Sequence, residues 1–148
     1  MMKQPTESRW TAIVAVALVV IGTTVESSWA ATFLSPGNLA VLRADGTTNN
    51  TTATILQIDS NTANQAAPIN SVAIPGSGPD ALRVSGSATS TAYLSHTNDG
   101  KLLTFMGANS EVTGSNVTFL NPPGVGAVDV SGKYAIQTTY TGARGHQT

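Results

Sequence analysis

The stretch TAYLSHTNDGKLLTFMG, Thr91 to Gly107, reads as two β-strands joined at Asp99-Gly100. Asp-Gly between alternating apolar runs favours a two-residue type I′ hairpin loop. That loop needs positive φ at both central positions, which Gly adopts freely and Asp tolerates. With Asn98 opposite Lys101, His96 falls opposite Leu103 and Leu94 opposite Phe105 on one side of the ribbon. Thr97 then meets Leu102, and Tyr93 meets Met106, on the other side. A longer loop over Thr97–Gly100 would shift this register. Apolar groups stand on both sides, whereas a hairpin in a half-wetted sheet carries them on one side only. The expectation is a hairpin covered on both faces.

Upstream, Ser35-Pro36-Gly37 signals a turn, and strand-like segments follow at Asn38 to Arg43 (NLAVLR), Ala53 to Asp59 (ATILQID) and Ile69 to Ile74 (INSVAI). Polar loops separate them, DGTTNNTT from Asp45 and a Ser/Asn-rich run to Pro68. Asp80 to Val84 (DALRV) is short enough to be a strand presenting Leu82 and Val84. Downstream, Asn116 to Leu120 (NVTFL) has a strand's composition, and Asn121 to Gly126 (NPPGVG) reads as a breaker. Ala127 to Tyr140 (AVDVSGKYAIQTTY) closes the ordered part as a second hairpin around Ser131-Gly132, with a frayed tail from Gly142 on. No segment after the leader holds an apolar 3.6-residue period, while Thr, Val and Ile abound. The expected fold is all-β, with about eight short strands in antiparallel hairpins. It forms a single domain over 31–148, arranged as a sandwich or as part of a propeller-like stack.

The chain has 148 residues, net charge −1 and no cysteine. Residues 1–30 resemble a secretory leader. A polar start carries Lys3 and Arg9, an apolar hydrophobic helix runs from Trp10 to Val25, and Ser28 and Ala30 stand where a signal peptidase reads. Cleavage then falls between Ala30 and Ala31. The alternative is an uncleaved signal anchor, although the apolar run is shorter than the ~20 residues a bilayer span needs. The remaining ~118 residues suffice for a modest core. Their charges are scattered singly, with no basic patch for nucleic acid and no acidic tail. An exported domain without disulfides must stand on its core alone or be completed by more chain or a partner.

Leu94 to Phe105 (LSHTNDGKLLTF) aligns with Val128 to Thr138 (VDVSGKYAIQT) around Gly100-Lys101 and Gly132-Lys133, 32 positions apart. An apolar strand, a D/S-G turn, a Lys and a second apolar strand resemble the inner hairpin of β-propeller blades. The run FLSPGNLAVLR resembles the start of secreted, uncharacterised propeller-like repeat proteins. The resemblance spans most of 31–148 with loose motifs. Those relatives are much longer, so it implies two to three blades where a closed propeller needs at least four. A truncated relative, or an oligomer that completes a ring, would fit. The resemblance implies no catalytic residue.

Sites for chemistry are sparse. No Gly-x-Ser-x-Gly elbow marks a serine nucleophile. His96 and His146 are the only imidazoles; His96 reads as a partly buried strand residue beside Leu103, and His146 as tail. No catalytic residue, cofactor or metal site is expected. The loop from Asp45 to Asn50 lacks the spaced carboxylates of a calcium loop, and Gly76-Ser77-Gly78 and Gly124-Val125-Gly126 read as linker and turn. Asn49, Asn50 and Asn116 each begin an N-x-Thr triplet, the N-glycosylation pattern; a Thr- and Asn-rich chain also generates such triplets by chance. The sequence points to a secreted, extracellular, non-catalytic binding or structural module. Its partner would be an extracellular protein, a polysaccharide or its own copies through exposed strand edges. The rival readings are a fragment of a larger secreted propeller enzyme, and a surface protein held in the membrane by its leader.

Overall fold

The computed structural model describes residues 32–88 and 92–141. The expected signal helix over 1–30, the expected cleavage between Ala30 and Ala31, Thr91 and the tail from 142, His146 included, lie outside the described residues. Within them the chain is all-β, with two antiparallel sheets in which each strand pairs with its neighbours in sequence. The first sheet is β1 (Asn38–Ala44), β2 (Ala53–Asp59) and β3 (Asn70–Ala73). The second is β4 (Ser95–His96), β5 (Leu102–Ala108), β6 (Pro123–Asp129) and β7 (Tyr134–Thr139).

One apolar core joins the two sheets. Ile55 of β2, Phe105 of β5 and Val128 of β6 are fully buried together, with Phe33 from the segment before β1 and Leu82 from the link between the sheets. Burying one such side chain contributes about 1.5–3 kcal/mol. Residues 81–84 stitch the sheets together. Arg83 exchanges both backbone hydrogen bonds with Ala108 at 2.8 Å, and Val84 does so with Thr51 at 2.9 and 3.0 Å. The expected short strand at Asp80–Val84 is thus two isolated bridges, one to each sheet. They present Leu82 and Val84 to the core.

The central hairpin keeps the expected register, with Ser95 opposite Thr104 and His96 opposite Leu103. Its turn differs. Thr97 and Leu102 close a four-residue loop, and the Thr97 carbonyl accepts from the Gly100 N–H at 2.8 Å. Gly100 has φ +67°, but Asp99 is not in the left-handed region. The Asp99 carboxylate instead accepts from Thr97 Oγ1 (2.6 Å) and the Lys101 N–H (3.1 Å). This side-chain closure competes with the type I′ loop. The longer loop leaves the register unshifted because it adds one residue on each side.

Three further expectations are corrected. The hairpin is not covered on both faces: Leu103 and Phe105 turn inward, while Met106 and Tyr93 are exposed. Asn116–Leu120 is not a strand but a 3-10 turn over Val117–Phe119, capped by Asn116 Oδ1, which accepts from the Thr118 N–H. Val117 and Leu120, three residues apart, fall on one side of that turn and bury against Ala108. Seven strands therefore form among the described residues instead of eight. The third correction is NPPGVG, which does not break the chain; β6 begins at Pro123 and is a central strand. Neighbouring side chains occupy the space a Cβ would need there, with Leu82 beside Gly124 and the Tyr134 ring over Gly126.

Candidate functional site

The alternation along β2 sends Ala53, Ile55 and Gln57 to the core side, and Thr54, Leu56 and Ile58 to the other. Gln57 pairs with Ala40 of β1 and Asn70 of β3. It breaks the apolar run just where the sheets diverge, and a groove of about 450 Å³ opens there. Phe33 and Leu34 form one wall, held because the Leu34 N–H donates to the Val130 carbonyl at 3.3 Å. Leu94 and Leu103 of the central hairpin form the opposite wall. Asn38 and Gln57 come from the first sheet, and Ser95 and His96 stand at the β4 rim. Among the described residues no Asp, Glu, Lys or Arg side chain lines the groove.

Gln57 is only 5% exposed, and its side-chain amide has no hydrogen-bond partner among the described residues. Neither atom of that amide is fully buried, so the groove is the side from which it is paired. The sequence carried one signal of it, a glutamine in phase with Ile55. The alternation also grouped it with Asp59, so which face of β2 turns inward was not legible.

His96 sits opposite Leu103 as expected, but it is exposed and not partly buried. Its Nδ1 lies 3.0 Å from the Thr97 carbonyl. A carbonyl only accepts, so Nδ1 is the donor in this contact. Among the described residues no group of three or more His, Cys, Asp or Glu is placed to hold a metal ion. Asp45 closes the β1–β2 loop on itself, accepting from Thr52 Oγ1 and Thr54 Oγ1, both at 2.7 Å.

The three asparagines of the glycosylation pattern occupy different settings. Asn49 is exposed, and its carbonyl accepts from the Val117 N–H. Asn50 is buried, and its Nδ2 donates to the carbonyls of Val112 (2.8 Å) and Ser115 (2.6 Å). The nitrogen a glycan would attach to is thereby spent on pinning one loop to another. Asn116 is half-buried and caps the 3-10 turn.

Searches of family models, curated proteins and solved structures find no match to this chain.

Among the described residues three buried side-chain atoms lack partners, Asn50 Oδ1, Arg83 Nε and the Tyr134 hydroxyl. Burial pushes the Tyr134 phenol well above its ordinary pKa, and the charge of Asp80 adds to the shift. None of the three lines the groove. Asp80 also caps the second sheet, its Oδ1 accepting from the Ile136 N–H of edge strand β7 at 3.1 Å.

Proposed function

We propose that this chain is an exported, non-catalytic β-module that acts by assembling with copies of itself. In this reading its two sheets are packed like neighbouring blades of a propeller-like stack. The observation that carries it is the outer face of the first sheet. On the side of the pleat away from Ile55 and Gln57, Leu39 stands opposite Ile58 and Val41 opposite Leu56. Leu39 is 56% exposed and Ile69, just ahead of β3, 53% exposed. A contiguous apolar face of this kind marks an interaction surface.

The second sheet offers a counterpart, with Met106 exposed opposite half-buried Val125. The two outer faces differ and lie on opposite sides of the shared core. Association is therefore heterologous, face to counter-face, which yields a closed ring or an open stack. Pairing through strand edges is weaker in this reading, because Asp80 already occupies an edge N–H of β7. Export rests on the leader, and a non-catalytic role on the lack of a nucleophile–base pair in the sequence.

Sedimentation velocity of the exported protein over a wide concentration range tests the reading. Assembly should grow with concentration, and Val41→Lys should weaken it at least about tenfold by burying an unpaired charge in the contact. A monomer at every concentration overturns it.

A further inference from the structure

We infer that the groove between the sheets is a binding site for a small uncharged molecule whose apolar body carries a primary carboxamide. The groove shares Leu39 with the outer face of the first sheet, but the inference does not depend on assembly through that face. Three observations set the chemistry. Among the described residues the groove has no Asp, Glu, Lys or Arg in its lining, so no such charge offsets the desolvation of an ionic ligand. Its walls, formed by Phe33, Leu34, Leu94 and Leu103, suit an apolar body; a free sugar would press most of its hydroxyls against them without partners. At the floor, Gln57 is more than nine-tenths buried and its amide is unpartnered.

That amide presents an acceptor, Oε1, and a donor, Nε2, side by side. Another carboxamide presents the same pair in reverse order and meets it with two parallel hydrogen bonds. A carboxylate offers only acceptors and a hydrocarbon neither, so both leave part of the Gln57 amide unpaired. A site built to pair a buried polar group discriminates through the penalty of leaving it unpaired. Core packing alone gives no reason for glutamine between Ile55 and the groove.

The test is a titration of the ¹⁵N-labelled full chain with benzamide, benzoate and toluene, followed by amide chemical shifts. Benzamide should give saturable shifts at Ala40, Gln57, His96 and Leu103, with a Kd at least about tenfold below those of benzoate and toluene. Gln57→Leu should weaken benzamide at least about tenfold and abolish its advantage over toluene. Ser95→Trp, at the exposed rim, should block benzamide while leaving Gln57 in place, and it serves if Gln57→Leu does not fold. Equal binding of benzamide and benzoate overturns the inference. So does full benzamide affinity in Gln57→Leu or in Ser95→Trp, or no saturable shift with benzamide, which would make the Gln57 amide a merely hydrated core residue.

Discussion

Tyr134 and Gly126 show how finely single residues set this fold. The Tyr134 ring stacks on Phe105 with centroids 6.0 Å apart and lies over Gly126, where an added Cβ would come within 2.7 Å of the ring. Gly126→Ala is expected to destabilise by about 1–3 kcal/mol through this overpacking. Tyr134→Phe should be neutral or stabilising, since the hydroxyl it removes is buried without a partner. One series of thermal melts checks both, and a tolerated Gly126→Ala would show that the ring moves aside freely. At this scale the sequence was legible where one residue type has one job, as with Gly100 in its turn. It was silent on Gln57, because a lone polar residue in a half-apolar strand fits either face. It was equally silent on Asn50, whose partners lie 62 and 65 positions away.

Among the elements, three turns share one device. Asp59 accepts from Thr62 Oγ1 and the Asn61 N–H, Asp99 from Thr97 Oγ1 and the Lys101 N–H, and Asp129 from Ser131 Oγ and the Lys133 N–H. Those hydrogen bonds hold all three carboxyls below their ordinary pKa of 3.8, the hydroxyl contributing most in each case. A depressed folded pKa means that the folded chain binds fewer protons than the unfolded one. The stabilisation is thus complete above the unfolded value and drains away as pH falls through the folded values. The melting temperature should drop on acidification below about pH 4. The triple variant Asp59→Asn, Asp99→Asn, Asp129→Asn should be less stable at pH 7 and show a flatter profile over the acid window. A parallel profile would remove these turns from the account. The strands themselves were largely readable, β2 to the residue, because period-2 alternation and turn signals agreed. β6 was not readable, since Pro and Gly argue against a strand and only the side chains of Leu82 and Tyr134, distant in sequence, fill its face. The 3-10 turn was missed because Val-Thr-Phe has a strand's composition and the deciding contact is with Ala108.

For the whole molecule, the core that joins the sheets makes them one cooperative unit. Phe105→Ala should cost about 3–5 kcal/mol. It should lower hydrogen-exchange protection in β2 as well as in β5 and β6, because Phe105 packs in the same cluster as Ile55. Unchanged protection in β2 would mean that the first sheet stands alone. The all-β class was plain in the sequence, since no helical period competes with the β-branched composition after residue 30. The docking of the sheets was not, as it depends on the 81–84 stitch, whose bridges no local pattern encodes.

The strand order also bears on how the chain acquires its shape. Every strand pairs with the one just before it or just after it in the chain, and no strand must wait for a distant partner. The 81–84 segment likewise bridges back to Thr51 before it bridges forward to Ala108. Structure can therefore be laid down in the order of synthesis. Strand pairing can thus follow synthesis, while the inner face of the first sheet, Phe33 and Ile55 included, waits for Phe105 and Val128 to cover it.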